Sequence, residues 1–555
     1  MPQARRKVPF SGKAKKQQLQ AKKNKTLLLS TPSGSSTCDI VSVNYQPSKN
    51  RAGGRNNPNR FVLKFYRETD EELKIKKEDA LKAINPVSEV QMEVKPLDYF
   101  PEELSFPKRP PWRFGTKKEE LEAQEQQSFR NYIHKLQESD HWDDISYFEL
   151  NLETWRQLWR VLEMCDILLL IVDVRYAGLM FPPSLYQHIR EEGKGMILVL
   201  NKVDLVPASV AVAWYDYFKK TYKYLRVVFF TSCPGYALRG GTSDKAGLQV
   251  RRRKGRQRMC VEGATKIYEA CKDIVCYELD LSCWEKKIKE EAAVEDEEDN
   301  TEVGETIVEE ADTTYFSHTR YGDGMLTVGC VGQPNVGKSS LMNALMGRKV
   351  VSVSKTPGHT KHFQTIYLTP KVRLCDCPGL VFPSKVPRPI QILMGSYPIA
   401  QLREPYTTIR YLAERLDLPK LLRIEHPEND DTWSPRDICD GWAKKRGYLT
   451  AKAARLDTYR AANSLLRMAL DGKLCFWLRP HGFTKKKEKF ENHEEIKYVK
   501  WVQAITNDEE RSPAVSESDD KSDSDADDIV SNDEEDSDEA IVATRNKFTE
   551  LLNAD

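Results

Sequence analysis

Short, nearly continuous apolar runs alternate along this chain with stretches of helical periodicity. The pattern becomes regular at Trp155, where a helical stretch leads into the first of these runs. The runs are CDILLLIVDV (165–174), GMILVL (195–200), LRVVFFTS (225–232), LTVGCVG (326–332), HFQTIYL (362–368) and VRLCD (372–376). Apolar runs of this length that alternate with helices are typical of a parallel sheet covered on both faces. The sequence therefore predicts a doubly wound α/β domain.

Beyond Phe382 the strand-like runs end and only stretches of helical periodicity follow, which indicates a second, α-helical domain. The helices predicted there are residues 389–402, 407–416, 435–447 and 451–470, and further helices are predicted over 71–84, 117–139 and 265–289. The predicted division of the chain is a basic, largely disordered N-terminal region (1–110), the α/β domain (111–385) with a charged insertion at about 239–325, the helical domain (386–485) and an acidic, Ser-rich tail (486–555).

The formal net charge of +2 conceals two oppositely charged ends. Residues 1–38 contain nine Lys and Arg and no acidic residue, whereas residues 508–539 contain sixteen Asp and Glu against two basic residues. No apolar run approaches the roughly 18 residues needed to cross a bilayer. The twelve cysteines show no C-x-x-C spacing, so neither a zinc site nor a disulfide framework is indicated. We therefore expect an intracellular, reduced protein that does not bind membranes.

The stretch GQPNVGKS (332–339) matches the G-x-x-x-x-G-K-[ST] pattern of a phosphate-binding loop. It follows a predicted strand and opens a predicted helix, so its backbone N–H groups can close around phosphate oxygens at the positive end of the helix dipole. Lys338 is predicted to reach the β- and γ-phosphates, and Ser339 to ligate Mg²⁺. The residues predicted to bind nucleotide here are Gly332, Asn335, Val336, Gly337, Lys338, Ser339 and Ser340.

A second motif, Asp-Cys-Pro-Gly (376–379), lies at the end of the last apolar run. A D-x-P-G tetrapeptide by itself is typical of a turn. Its spacing after the phosphate-binding loop favours a functional interpretation instead. Asp376 is predicted to hold Mg²⁺ through water, and the N–H group of Gly379 to face the γ-phosphate.

The segment between these two motifs, SKTPGHTKHFQT (354–365), contains a candidate switch threonine. We predict that Thr360 closes on Mg²⁺ when the γ-phosphate is bound. Thr356 and Thr365 lie close by in the sequence and are the alternatives.

The stretch Asn-Lys-Val-Asp (201–204) follows an earlier apolar run and is predicted to read the base. The Asp204 carboxylate can accept hydrogen bonds from the ring N–H and the exocyclic amine of guanine. Adenine has neither donor at these positions, so a buried Asp204 would stay unpaired at a cost of about 1–3 kcal/mol. Asn201 is predicted to support the loop, and the Lys202 stem to lie against the base. A backbone N–H group near Ser232 is predicted to meet the guanine carbonyl.

The order of these motifs is unusual, because a GTPase ordinarily begins with the phosphate-binding loop and ends with the base reader. Here the base reader and Ser232 come first, followed by the phosphate-binding loop, the switch threonine and D-x-P-G. A circular permutation preserves every contact, because ligands bind at the carboxyl ends of the strands whatever the connections between them. It requires only that the original termini lie close together, which is common. The sequence therefore predicts a circularly permuted domain.

This arrangement resembles the circularly permuted GTPases of the YlqF/YawG family. The resemblance covers about residues 125–485 and is carried by VLNKVDLVP, GCVGQPNVGKSSLMNALMGRKVVSVSKTPGHTKHFQT and LCDCPGLVFPS. It implies a P-loop GTPase fold that binds GTP or GDP with Mg²⁺. One departure is DVRYAG (173–178), where the family usually has D-A-R-x-P. Arg175 is retained, but the geometry of the residues after it is left open.

The resemblance also has implications for catalysis, in which Lys338, Thr360, Gly379 and Asn335 are the candidate residues. Leu380 occupies the position where many GTPases place a water-orienting Gln, so unassisted hydrolysis is expected to be slow. Families with a hydrophobic residue there often use an Asn of the phosphate-binding loop to ligate K⁺. Asn335 is therefore a candidate K⁺ ligand, the alternative being that it only shapes the loop.

The basic segments of the chain indicate a polyanionic partner. They are the N-terminal arm, Arg251–Arg258, and the helical-domain residues Lys444, Lys445, Arg446, Lys452, Arg455, Arg460 and Arg467. Solvated helix faces and a nuclear-import signal are the alternatives. The resemblance implies ribosomal RNA or pre-ribosomal particles as partners, in the nucleus, the nucleolus and the cytoplasm. The acidic tail is a candidate for binding basic proteins, and a monomer is expected.

Two functional hypotheses follow. The first is a GTP-hydrolysing switch in ribosome biogenesis, activated by a cation or a partner. The second is a guanine-nucleotide-binding scaffold with negligible hydrolysis. Leu380 favours the second, whereas the intact Lys338, Ser339, Thr360 and Asp376 favour the first.

Overall fold

The computed structural model describes most of the chain between residues 70 and 504. The described ranges are 70–113, 116–231, 236–238, 249–251, 256–293, 319–347, 364–450 and 455–504. Several predictions made from the sequence lie outside these ranges. They concern the N-terminal arm, Ser232, most of the basic segment 251–258, Thr360, Lys452 and the acidic tail.

A six-stranded sheet forms the centre of the α/β part. Its strands are β1 (Ile167–Asp173), β2 (Gly195–Asn201), β3 (Arg226–Phe229), β4 (Leu326–Val331), β5 (Gln364–Thr369) and β6 (Val372–Asp376). They lie in the order β3-β2-β1-β4-β6-β5, in which β5 is antiparallel to β6 and the other neighbours are parallel. Every residue of β1 and β4 is buried, as expected for strands covered on both faces. The predicted doubly wound α/β fold is confirmed.

Helices cover both the sheet and its margins. The first helix, α1 (Asp70–Asp79), contacts the helical part, where Arg410 Nη2 donates a hydrogen bond to the Asp79 carbonyl. The helices of the α/β part are α2 (Lys118–Gln137), α3 (Leu152–Met164), α4 (Ala177–Met180), α5 (Pro183–Glu191), α6 (Ala208–Thr221), α7 (Arg256–Val275), α8 (Ser282–Ala293) and α9 (Lys338–Met346). The insertion differs from the single predicted helix over 265–289, because α7 ends before Cys276 and Tyr277. Both of these residues have positive φ angles, 46° and 69°, which a right-handed helix cannot contain.

The helical part follows directly after β6. Its helices are α10 (Arg388–Met394), α11 (Tyr406–Ala413), α12 (Leu418–Leu422), α13 (Pro435–Arg446), α14 (Thr458–Leu470), α15 (Lys487–Glu491) and α16 (Ile496–Ala504). Two are shorter than predicted. α10 stops at Gly395, whose φ of 77° ends the helix. α14 starts after Asp457, whose side chain accepts a hydrogen bond from Arg460 N and so caps the helix. Among the described residues, no helix combines the length and apolar character that a membrane span requires.

Two segments that the sequence assigned to a disordered region and to the tail are packed against the rest of the protein. Residues 70–110 fall in the region predicted to be largely disordered, yet Leu104 and Phe106 are buried and Phe106 stacks against Trp155. Residues 486–504 fall in the predicted tail, yet they form α15 and α16. Between residues 85 and 110 the apolar residues are too irregularly spaced to give a periodic signal. The second segment does have apolar residues at helical spacing, Ile496, Val499 and Val502, but it lies next to the acidic stretch and was included in the predicted tail.

Candidate nucleotide-binding site

The base-reading loop and the phosphate-binding loop are in direct contact, although they are far apart in the sequence. The Asn201 side-chain amide Nδ2 donates a hydrogen bond of 2.7 Å to the Val336 carbonyl, 135 residues away. Asn201 ends β2 and Val336 follows β4, and β1 separates these two strands in the sheet. The parallel register brings their carboxyl ends to the same edge. The two motifs therefore belong to one site.

Lys202 strengthens this connection. Its Nζ donates to the Asn335 carbonyl and to Asp173 Oδ2, both at 2.8 Å. Lys202 and Asn335 both adopt left-handed backbone conformations, with φ of 61° and 60°. Such conformations are unfavourable for residues with a Cβ and persist where surrounding contacts fix them, which is typical of functional loops.

The Asp204 carboxylate is held by a hydrogen bond from the neighbouring loop that contains Thr231. The Thr231 hydroxyl donates a 2.7 Å hydrogen bond to Asp204 Oδ1. Desolvation raises the pKa of Asp204 to about 6, although the bond from Thr231 acts in the opposite direction. The sequence did not point to Thr231, and the predicted partner next to it, Ser232, lies outside the described residues.

The raised pKa of Asp204 gives a pH prediction. The predicted recognition of guanine by Asp204 requires the ionised carboxylate, so protons should compete with the base below the pKa of about 6. We expect the affinity for GDP to fall by up to about tenfold per pH unit in that range. The measurement is the GDP dissociation constant as a function of pH, with pyrophosphate as the control because its phosphates titrate but it has no base. Parallel curves for the two ligands would contradict the prediction.

The phosphate-binding loop has the backbone that its glycines permit. Gly337 has φ of 95° and immediately precedes α9. A Cβ on Gly332 would lie 2.4 Å from the Ile171 carbonyl oxygen, so no larger residue fits there. Lys338 Nζ lies within the loop, 3.1 Å from the Gly332 carbonyl and 2.8 Å from the Gln333 carbonyl. Burial lowers the pKa of Lys338, and a phosphate anion that binds beside it would favour the charged form. Ser339 and Ser340 lie in the first turn of α9.

Asp376 is a buried carboxylate at the end of β6. Neither carboxylate oxygen has a hydrogen-bond partner, and burial raises the pKa of Asp376 to about 6. Lys338 and then Ser339 act in the opposite direction, although the Ser339 hydroxyl does not have the full geometry of a hydrogen bond to the carboxylate. An unpartnered buried carboxylate beside a serine hydroxyl is suited to a hydrated divalent cation. The residues present therefore fit Mg²⁺.

The D-x-P-G turn lies against the phosphate-binding loop. A Cβ on Gly379 would come within 2.9 Å of the backbone of Pro334, so the close approach requires glycine. Leu380 N donates to the Gly332 carbonyl at 3.1 Å, and the Leu380 side chain is fully buried. Position 380 therefore presents no polar group that could orient a water molecule.

Asp173 is part of the site, although no motif in the sequence indicated it. Asp173 ends β1 and accepts hydrogen bonds from Arg175 Nε and Nη2 as well as from Lys202. The side chains of Asp173 and Arg175 are both almost completely buried. Arg175 Nη1 also donates to the Ala469 carbonyl at the end of α14. Arg175 thus joins the base-reading loop to the helical part of the chain.

The helical part also contacts the phosphate-binding loop. Ser396 Oγ donates a 2.5 Å hydrogen bond to Gln333 Oε1, and both residues are buried. Asn335 Nδ2 lies 3.4 Å from the Gly395 carbonyl. Nothing in the sequence indicated Gln333 or Ser396, because a contact between two loops leaves no periodic pattern. The site is therefore built from both parts of the chain.

Comparison with known proteins gives a consistent result. Residues 327–407 match a protein-family model described as 50S ribosome-binding GTPase. The chain is 44% identical to guanine nucleotide-binding protein-like 1 of Rattus norvegicus and of Homo sapiens, over 88% of each chain. It is 34% identical to large subunit GTPase 1 of Schizosaccharomyces pombe, over 71% of this chain and 61% of that protein. GDP-bound YlqF, a solved structure, is 18% identical with a TM-score of 0.33, covering 59% of this chain and 98% of its own.

Proposed function

Because the chain belongs to the family of guanine nucleotide-binding protein-like 1, a group of circularly permuted P-loop GTPases, we propose that it is a GTP-hydrolysing switch in ribosome biogenesis. The observation that carries the proposal is the junction of the two loops, in which Asn201 and Lys202 contact the backbone of Val336 and Asn335. This contact joins the proposed guanine reader to the proposed phosphate-binding loop, which supports their acting in one site. A GTP molecule can then be held at its base and its phosphates by the same site.

In this proposal each residue has a defined role. Lys338 and the backbone of the loop bind the phosphates, and Gly379 N–H faces the γ-phosphate. Ser339, Asp376 and Thr360 are the residues that would hold Mg²⁺, which when bound neutralises charge on the phosphate oxygens. Because Leu380 is apolar and buried, unassisted hydrolysis is slow, on the order of 10⁻⁴ s⁻¹ by analogy with unassisted small GTPases.

The proposed source of acceleration is K⁺ at Asn335 together with a ribosomal partner. The bond between Asn335 Nδ2 and the Gly395 carbonyl directs the other end of the amide, Oδ1, away from Gly395. A cation held by that oxygen would add positive charge where negative charge develops on the phosphate. The helical part would thus orient the cation ligand.

The test is steady-state phosphate release from GTP in KCl and in NaCl, with and without purified ribosomal subunits. Lys338→Ala provides the blank. Release above the blank that K⁺ or ribosomal subunits stimulate supports the switch. GTP binding without any such release would contradict it and favour the alternative, a nucleotide-binding scaffold, which Leu380 favours.

We also propose RNA as the partner, on the basis of a cationic surface on the helical part. Arg446, Arg455 and Arg460 are exposed in the part of the chain where Leu449 pairs with Leu456. Two of these guanidinium groups lie over aromatic rings, Arg446 over Trp442 at 4.7 Å and Arg460 over Tyr448 at 4.6 Å. Planar cations held in this way are suited to phosphates and to stacking on unpaired bases. Lys445 is different, because its Nζ donates to the Leu422 carbonyl and so stabilises the end of α12.

Removing positive charges from the surface formed by Arg446, Arg455 and Arg460 should weaken RNA binding because fewer phosphates are neutralised. For Arg446→Gln combined with Arg455→Gln we expect the slope of log affinity against log salt to fall by about 1–2, because each phosphate contact contributes about 0.7–0.9. The measurement is fluorescence anisotropy with labelled ribosomal RNA over a salt series. Lys223→Gln, an exposed cation on the α/β part, is the matched control. An unchanged slope in the double variant would place the RNA elsewhere.

The remaining parts of the proposal follow from the composition of the chain. We propose that the acidic tail binds basic proteins, that the protein is a monomer, and that it acts in the nucleus, the nucleolus and the cytoplasm. Its sixteen acidic residues between 508 and 539 support the first of these, since they provide a dense negative charge.

A further inference from the structure

The helix α16 packs beside the base-reading loop. Its apolar residues Ile496, Val499 and Val502 are buried. The ring of Tyr498 lies 6.4 Å from that of Phe229 at the end of β3. These contacts hold α16 against the rest of the protein, and its last turn makes further contacts.

Gln503, near the end of α16, contacts the backbone of the base-reading loop. Its Nε2 donates to the Val203 carbonyl at 2.9 Å and to the Val206 carbonyl at 2.8 Å. These carbonyls lie on either side of Asp204 in the sequence. One side-chain amide therefore bridges the two ends of the turn that presents the guanine-reading carboxylate.

The helix also contacts the second segment that holds Asp204. Val502 and Trp501 line a small cavity together with Phe230 and Thr231. Thr231 is the residue whose hydroxyl donates to Asp204 Oδ1. α16 therefore contacts the Asp204 turn through Gln503, and its Val502 lines a cavity that Thr231 also lines.

We propose that Gln503 is a positioning residue for guanine recognition and that docking of α16 sets the rate of nucleotide exchange. Gln503 acts through the backbone of residues 203–206 and does not itself touch the base. When the amide holds both carbonyls, the Asp204 carboxylate is fixed in the orientation that accepts two hydrogen bonds from guanine. The proposal deepens the function proposed above and rests on it, since it assumes that guanine nucleotides bind at this site.

The test uses the full chain with Gln503→Leu, which removes both donors without adding a charge. We expect GDP carrying a fluorescent label on the ribose to dissociate about tenfold faster, the effect of losing two neutral hydrogen bonds. The preference for GDP over IDP should also fall, because IDP lacks the exocyclic amine that Asp204 reads. Lys500→Leu is the matched control, because Lys500 is an exposed residue of the same helix. Lys500→Leu should leave the GDP dissociation rate and the preference for GDP over IDP unchanged.

A second variant separates positioning from folding. Gln503→Glu keeps the shape of the side chain but replaces the donor amide by a carboxylate oxygen, which cannot donate to the two carbonyls. This variant should also accelerate the dissociation of GDP. If both variants release GDP at the wild-type rate and keep the GDP-to-IDP ratio, the inference is wrong. A lower melting temperature with an unchanged ratio would likewise assign Gln503 a purely structural role. Failure of the wild-type protein to bind GDP would instead overturn the proposed function itself.

Discussion

Replacing Asp204 by asparagine is expected to change the preferred base from guanine to xanthine. The Asp204 carboxylate accepts hydrogen bonds only, which suits the two adjacent donors of guanine. Xanthine keeps the ring N–H group but has a carbonyl where guanine has its amine. An asparagine side chain can accept from the first and donate to the second, so Asp204→Asn matches xanthine and opposes guanine.

The expected effect is large because the lost bonds involve a charged acceptor. Hydrogen bonds to charged groups contribute about 1.5–3 kcal/mol each, so the affinity for GDP should fall by at least about a hundredfold. The affinity for XDP should rise above that for GDP. Isothermal titration with both nucleotides measures this directly. Asp431→Asn, an exposed position in the helical part, makes the same chemical change away from the site and should affect neither affinity.

Stability distinguishes this outcome from misfolding. Desolvation raises the pKa of Asp204 to about 6, so the ionised carboxylate costs stability in the folded protein above that pH. Removing its charge should leave the melting temperature of the nucleotide-free protein at pH 7 unchanged or higher. A variant that melts earlier and loses both nucleotides equally would show that Asp204 supports the fold without reading the base.

The contacts that the sequence could predict are those governed by strand direction. The base-reading and phosphate-binding motifs were expected to serve one site, because each follows a buried apolar run and parallel strands bring their carboxyl ends to one edge. The hydrogen bond from Asn201 to the Val336 carbonyl shows that the two loops are in contact. The runs themselves marked the strands closely, since residues such as Ile167–Asp173 are buried on both sides and leave an uninterrupted apolar signal. Glycine positions such as Gly332 were also predictable, because the phosphate-binding motif specifies them.

The contacts that it could not predict join segments without periodicity. Gln503 bonds to carbonyls about 300 residues away, and the spacing of the apolar residues before it predicts a helix but not the partner of its side chain. Ser396 and Gln333 are both ordinary polar residues, and only burial at the junction makes their hydrogen bond important. Through these contacts the helical part packs against the nucleotide-binding site. The sequence therefore predicted the site itself but not its contacts with the helical part.

Loss of the Arg175 guanidinium is expected to destabilise the folded protein more than any surface substitution. Arg175 and Asp173 are each only 2% exposed. Arg175→Met keeps most of the volume but leaves the Asp173 carboxylate with Lys202 as its remaining charged partner. Removing one member of a buried pair costs about 3–5 kcal/mol, because the other charge stays buried. The bond to the Ala469 carbonyl is lost at the same time, which loosens the helical part from the base-reading loop.

Two comparisons isolate the buried charge as the cause. Lys220→Met breaks an exposed ion pair with Asp216 and should cost no more than about 1 kcal/mol. Asp173→Asn combined with Arg175→Met removes both charges of the buried pair. The double variant should therefore recover part of the stability that Arg175→Met loses. Chemical denaturation of the nucleotide-free protein at neutral pH measures all of these free energies.

The dependence on pH provides the final check. Burial raises the pKa of Asp173, but Arg175 and then Lys202 outweigh burial, so the folded pKa lies well below its ordinary value of 3.8. A depressed folded pKa stabilises the protein above the unfolded pKa, and that stability is lost as the pH falls through the folded value. Without Arg175 the folded pKa rises, so the difference in unfolding free energy between wild type and Arg175→Met should shrink as the pH falls below about 4. A difference that stays constant would mean that Arg175 acts through packing alone, and that its charge does not couple the base-reading loop to α14.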